Sequence, residues 1–277
     1  MTTTARRPRR PRPKRPRGAR RARASTAVDH VRFNRRIWDQ ESDAYDRRCA
    51  AVLGGVHAPA WGLWRTPESE LRLLGDVTGR DLLELGCGAA RWSVALAQRG
   101  GHPVGLDLSL AQLAKARAVV RRSRARVPLV RASAESIPFR SGSFDVVFCD
   151  WGAMTFGEPR STVPECARVL RPGGLLVFAA ASPIRTLTFD RRSDRQTREL
   201  RRSYFELHRL ELGTAIEFQL PYGAWIDLFA EHGLEVLRLI ESRPPLGART
   251  AYLSGPDGRW AERWPMEAIW KLRKRSS

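Results

Sequence analysis

Asp81-Leu82-Leu83-Glu84-Leu85-Gly86-Cys87-Gly88-Ala89-Ala90 is the stretch on which the fold turns. A short apolar run over Asp81–Leu85 reads as a buried strand, Gly86 and Gly88 as a sharp turn, and the residues from about Ala90 to Gln98 as a helix that Gly100-Gly101 ends. Outward from it the same rhythm repeats. Val104–Leu108 is a second strand, and Ser109-Leu-Ala-Gln112 is a capping box opening a helix to about Arg122. Leu129–Ala132 and Phe144–Cys149 are further strands, and Val163–Leu170 is helical. Arg171-Pro172-Gly173-Gly174 then turns the chain into a strand over Leu175–Ala180. Strands separated by helices of ten to fifteen residues predict right-handed βαβ units and a parallel sheet covered on both faces, an α/β fold.

The flanks read differently. Val31–Arg48 carries Phe33, Ile37, Trp38 and Tyr45 among charges, which predicts one or two amphipathic helices. Thr66-Pro67-Glu68 predicts a capped helix running through Leu71, Leu73 and Leu74 to Gly75. Residues 183–212 interrupt the rhythm as a polar, Arg-rich helical insertion. It resumes with a strand at Ala215–Leu220, a helix at Tyr222–Glu231 and a strand at Leu234–Ile240. Residues 256–274, with Trp260, Trp264 and Trp270, are expected to be helical. The division is a disordered tail (1–28), N-terminal helices (29–75), a core (81–181), the insertion (183–212) and a closing segment (213–277).

Composition narrows the class. The 277 residues suffice for one sizeable domain, and no apolar run approaches the roughly 20 residues of a membrane span. A net charge of +20 suggests nucleic acid, but residues 1–28 supply eleven Arg or Lys and no acid, more than half of that excess. That Pro-rich tail lacks an apolar stretch after it, so neither a secretory signal nor a transit helix is expected. Cys49, Cys87, Cys149 and Cys166 are scattered, as are the five histidines; no metal site or disulfide framework is expected, and free thiols suit a cytoplasmic protein.

Ligands of such sheets sit beyond the carboxyl ends of the strands. Asp107 stands 19 residues after Gly88 at the end of the second strand, where a carboxylate accepts hydrogen bonds from ribose hydroxyls. A dinucleotide fold wants Gly-x-Gly-x-x-Gly, and Arg91 occupies the third position. Glu84, ending the first strand, repels phosphate but suits a cationic amino-acid group. The pair points to S-adenosylmethionine as cofactor.

The segment from Asp81 to Ala181 resembles the class I methyltransferase family, near its "type 11" group. The resemblance lies in Leu83-Glu-Leu-Gly-Cys-Gly88, Gly105-Leu-Asp-Leu-Ser109, Ala132-Ser-Ala-Glu135 with Ile137-Pro-Phe139, Ser143-Phe-Asp-Val-Val147 and Arg168-Val-Leu-Arg-Pro-Gly-Gly174. Trp38-Asp39 to Tyr45-Asp46 is similar to the family's N-terminal lid, and the strand–helix–strand end to its antiparallel closing strand. The resemblance implies a Rossmann-like doubly wound sheet of seven strands, mostly parallel with an antiparallel last strand. It also implies that Glu84, Gly86, Cys87 and Gly88 cradle the amino-acid moiety and that Asp107 holds the ribose. Leu108 would then pack on the adenine, with Ala134 and Glu135 at its edge. Asp150, Trp151 and Gly152 would border the sulfonium and the acceptor, and Tyr45 would close the site. One departure is that Ala90 stands where the family usually has a third glycine.

Bland readings accompany these. Asp145 reads as a turn or cap acid, Cys87 and Cys149 as small hydrophobes, and Trp61, Trp64 and Tyr222 as packing residues with pocket lining as the alternative. A general base is optional; Asp150, Glu158, His57 and His208 are candidates, with Asp150 and His208 carried forward. Cys149-Asp-Trp-Gly replaces the Asn/Asp-Pro-Pro-Tyr of enzymes acting on nucleobase or glutamine amines, which favours a small-molecule acceptor. The alternatives are an RNA or protein methyltransferase tethered by the tail, and a cofactor-binding protein without chemistry. No membrane partner is expected.

Overall fold

Twenty-two elements follow one another along the computed structural model, which describes residues 29–53, 59–245, 248, 250, 253 and 255–276. The expectations for the 1–28 tail and for His57 lie outside the described residues. The order begins α1 (His30–Leu53), β1 (Ala60–Trp61), β2 (Thr66–Pro67), α2 (Glu68–Leu71), β3 (Asp81–Leu85), α3 (Arg91–Ala97), β4 (His102–Asp107), α4 (Leu110–Ser123) and β5 (Leu129–Arg131). It continues with β6 (Phe144–Asp150), α5 (Ala153–Phe156), α6 (Pro159–Val169), β7 (Leu170–Ala181), α7 (Pro183–Thr188), β8 (Phe189–Asp190) and β9 (Arg195–Gln196). The last elements are β10 (Arg209–Glu211), β11 (Ile216–Phe218), α8 (Tyr222–Glu231), β12 (Leu234–Glu241), α9 (Gly255–Ala261) and β13 (Glu267–Lys274).

Seven strands form one sheet in the order β12-β13-β7-β6-β3-β4-β5. The five from β7 to β5 pair in parallel, while β13 runs antiparallel to both of its neighbours. The strand period of two distributes the core. On β7, Leu176, Phe178 and Ala180 face α6 and α8, with Trp225 and Phe229 packed against them; Leu175, Val177 and Ala179 face the side that holds Trp61, Trp92 and Phe148. Both faces are dry, as a parallel sheet requires. At the amino-terminal ends of β3, β6 and β7 Arg171 bridges Asp145 (2.6 Å) and Asp81 (2.7 Å), and Asp145 also accepts the Asp81 N–H. Asp145 is thus a strand-joining acid.

Four expectations need correction. The helix expected from Thr66 is one turn long: Thr66–Pro67 pairs with Ala60–Trp61, and the Glu68 carboxylate accepts from Trp61 Nε1, Leu73 N and Leu74 N, curling the chain. The insertion is mostly not helical, because after α7 it folds as β8 and β9 and later contributes β10, which pairs with β11 outside the main sheet. Residues 256–274 are helical only to Ala261. The remainder is β13, where Trp270 lies in the core stacked on Phe178. The antiparallel strand is therefore Glu267–Lys274, not Leu234–Ile240. An alternating pattern of Trp and charge suits a half-buried strand as well as a helix, and only the gap between β12 and β7 decides between them. No helix among the described residues is long and apolar enough to cross a membrane.

Candidate functional site

Strand order reverses between β3 and β6, so the connections leaving their carboxyl ends diverge and open a crevice. A cavity of about 460 Å³ occupies it, lined by the β3–α3 turn, the end of β4, residues 132–135, residues 150–157, and helix α1. Gly86 has φ +66°, and a Cβ there would come within 2.6 Å of Ala153 N and 2.9 Å of Gly152 Cα. Its glycine is required by the packing of two loops. Gly88, at φ +51°, would meet only Gln112 Oε1 at 3.7 Å and leaves its backbone open to the cavity.

Three acids converge there. Glu84 is buried and accepts from Ser93 N (3.0 Å) and Ser93 Oγ (2.5 Å), both on Oε2. Burial pushes its carboxyl up to about 8; the Ser93 bonds oppose this, and nearby Asp150 and Asp107 add to it. Asp107 accepts from Gly88 N and Ser109 N, each at 2.8 Å, so the glycine turn and the α4 cap are tied to one carboxylate. Burial raises its pKa against those bonds. Asp150 keeps some surface toward the cavity and accepts the Gly62 N–H at 2.9 Å. Burial pushes it up to about 6, with Gly62 and Arg65 opposing. Acids crowded in this way attract a cation and exclude phosphate.

Helix α1 is held by polar contacts from its buried side. Asn34 Nδ2 donates to Ile216 O (2.7 Å) and Phe156 O (3.1 Å), while its Oδ1 accepts from Ile216 N (2.8 Å). Asp39 accepts from Ser109 Oγ at 2.6 Å. Trp38 meets Phe156 and Tyr45 edge to face, at 5.3 and 5.5 Å between ring centroids. Trp151, with φ +57°, forms part of another wall; the Arg185 guanidinium lies 5.5 Å from its ring and pairs with Glu217.

Of the residues singled out from sequence, Tyr45, Glu84, Gly86, Cys87, Gly88, Asp107, Leu108, Ala134, Glu135, Asp150, Trp151 and Gly152 all line this cavity. Glu135 has a further role: it accepts from His30 Nε2 (2.6 Å) and from Glu158 N (2.8 Å), joining α1 to the core. His208 does not line the cavity; it pairs with Glu158 at 2.7 Å and packs edgewise on Phe218. Trp61, Trp64, Trp260, Trp264, Trp270 and Tyr222 also lie off the cavity, the first five in the packed clusters and Tyr222 bonded to Glu241. Cys87 and Cys149 are buried thiols pushed up by that burial, Cys149 to about 12, which leaves them inert. Asn34, Arg65, Phe156, Arg185 and Glu217 line the cavity without having been named beforehand, as does Gln112, read from sequence only as a capping-box residue. Only tertiary contact distinguishes them from other polar or aromatic residues. No cluster of metal-ligating side chains occurs among the described residues.

Comparison with known proteins bears on this geometry. The sequence profile of the family described as "Methyltransferase domain" matches residues 83–178. A demethylmenaquinone methyltransferase of Clavibacter sepedonicus is 36% identical over 149 residues, 53% of this chain and 57% of that protein. One from Lactococcus lactis is 30% identical over 162 residues, 57% of this chain and 61% of that protein. The chain thus spans about three fifths of the length of these curated relatives. Among solved structures, an S-adenosylmethionine-dependent methyltransferase from Mesorhizobium loti superposes with a TM-score of 0.61 at 20% identity, over 74% of this chain and 95% of that one. The [4+2]-cyclase SpnF superposes at 0.60 and 19% identity, over 90% and 97%. The fold is shared by proteins of different chemistry.

Proposed function

We propose, from the match of residues 83–178 to the methyltransferase-domain family, that the chain is a class I S-adenosylmethionine-dependent methyltransferase that transfers a methyl group to a small-molecule acceptor. One observation carries the reading: Glu84 and Asp107, at the ends of neighbouring strands, line one cavity with the open backbone of Gly88. These residues fit the cofactor. Glu84 suits its ammonium group, Asp107 its ribose hydroxyls, and Leu108, Ala134 and Glu135 the edge of its adenine. Residues 81–181 are read as the cofactor-binding core, and 29–75 as a lid.

Bound S-adenosylmethionine supplies a methyl group already activated on a sulfonium. The chain's part is alignment and the exclusion of water. Trp38, Tyr45 and Phe156 cover the cavity from the lid side. Asp150, pushed up to about 6, is mostly a carboxylate near neutral pH and is suited to take the proton of an acceptor hydroxyl. His208, paired with Glu158 away from the cavity, is not given that role. The demethylmenaquinone methyltransferase relatives, together with the Trp38, Phe156 and Trp151 walls, support a flat aromatic alcohol as acceptor.

Calorimetry with S-adenosylhomocysteine tests the reading. The wild-type chain is expected to bind, and Asp107→Ala to bind at least about tenfold more weakly, because two backbone donors and the ribose lose their acceptor. No binding by the wild type, or equal binding by the variant, overturns it. The cyclase relative makes a second measurement necessary: a methylated product, seen by mass spectrometry after incubation with a panel of aromatic alcohols, separates transfer from mere binding.

A further inference from the structure

Behind the cavity wall lies a carboxyl that the reaction does not use. Glu267 opens β13 opposite Ala181 and is wholly buried. It does not line the cavity, yet it holds two segments that do. Its Oε2 accepts from Trp151 Nε1 at 2.7 Å and from Leu63 N at 2.8 Å. Gly62 lies so close that a Cβ there would fall 2.3 Å from both carboxylate oxygens, and the glycine takes φ +69°. The Gly62 N–H in turn donates to Asp150. Trp151 sits in the left-handed region, a strained state for a bulky residue, which persists only where the surroundings over-determine it. Here its backbone N–H donates to Ala179 O and its indole to Glu267.

We propose that Glu267 is a positioning residue for the acceptor side of the cavity, tying the Trp151 indole to the Gly62–Leu63 turn and so setting the wall against which a flat aromatic acceptor packs. Only the identification of that side as the acceptor's rests on the methyl-transfer reading. The groups facing this tie are Asp150 from β6, Ser242 after β12, Arg65 near Asp150, and the Arg185–Glu217 pair on the Trp151 ring. Burial pushes the carboxyl up to about 7 against hydrogen bonds from Leu63, Trp151 and Ser242, so its charge changes near neutrality. An ionised Glu267 is the stronger acceptor for the indole N–H.

The full chain labelled with 5-fluorotryptophan, its Trp151 signal assigned through Trp151→Phe, reads the tie directly by fluorine NMR. In the wild type the Trp151 resonance is expected to move with pH around neutrality. In Glu267→Gln, which keeps an acceptor oxygen, the movement centred near pH 7 should be lost, leaving only what Asp150 contributes near pH 6; in Glu267→Leu the resonance should be displaced. With 2-naphthol as the flat aromatic probe, Glu267→Leu should weaken binding by about fivefold, with Glu267→Gln restoring most of it. Affinity for S-adenosylhomocysteine should stay within about twofold in both, since Glu84 and Asp107 are untouched. A Trp151 resonance identical in all three chains overturns the proposal. So does a parallel loss of both affinities, which marks a merely structural role. A chain that gives these Trp151 shifts but binds no S-adenosylhomocysteine overturns the methyl-transfer reading and leaves the tie standing.

Discussion

Glu84 links folding stability to the proposed cofactor binding. In the free chain its carboxyl sits at about 8, so near pH 7 it holds a proton. An ammonium group docking beside it favours the carboxylate. Binding of S-adenosylhomocysteine near pH 7 is therefore expected to release close to one proton, measured by calorimetry in buffers of different ionisation heat. Glu84→Gln should release none and bind about tenfold more weakly. Absence of proton release in the wild type would show that the ammonium does not meet Glu84. Ala90 is fully buried at φ +55°. That conformation costs a non-glycine residue roughly 1–2 kcal/mol. Ala90→Gly relieves it but loses a buried methyl and gains chain entropy on unfolding, roughly 0.5–1 kcal/mol for the latter. The expected change in unfolding free energy is below about 1 kcal/mol, with cofactor affinity unchanged.

The lid helix and the motif segments separate into those that build and those that bind. Arg168 pairs with Glu165 and donates to the carbonyls of Ile137 and Phe139, while Glu165 accepts the Ile137 N–H. The Ile137-Pro-Phe139 and Arg168 motifs are therefore one structural device, which is why neither reaches the cavity. For α1 the decisive residue is Asn34, whose side chain pairs with both backbone groups of Ile216. Asn34→Ala leaves those groups unsatisfied, at a cost of about 1–3 kcal/mol. Hydrogen exchange over α1 should accelerate correspondingly, whereas β3 and β6 should be unaffected. Unchanged protection of α1 would mean that the His30–Glu135 and Asp39–Ser109 contacts suffice to hold the lid.

Across the whole molecule, several carboxyls are buried so deeply that burial outweighs the groups that favour their charged form. Glu84, Glu267 and Asp150 are pushed up to about 8, 7 and 6, from ordinary values near 4. The sign follows from linkage: when the folded state binds a proton more tightly, its stability is full below the unfolded pKa and is lost as pH rises through the folded one. The melting temperature of the unliganded chain should fall between about pH 5 and pH 8, most steeply near pH 5 to 6, where all three groups are ionised in the unfolded chain but still hold their protons in the folded one. Glu84→Gln and Glu267→Gln together should flatten that slope, and a flat wild-type profile would refute the assignment.

Sequence by itself determined the α/β alternation, the five parallel strands, the glycine turn and the acids Glu84 and Asp107. These are local or repeat at short spacing, so strand period, helix period and turn chemistry expose them. Trp151 and Asp150 were legible only through the family resemblance, which implies a site-bordering loop just after the fourth strand. Tertiary structure alone decided that 267–274 is a strand, since an eight-residue run with mixed polarity takes its conformation from the gap it fills between β12 and β7. It alone sent His208 to Glu158 and the C-terminal tryptophans into the core. It alone brought Glu267, more than a hundred residues along the chain from Trp151 and about two hundred from Leu63, to hold both. Contacts at such separation leave no period in the sequence, because each depends on where the sheet has already carried the backbone.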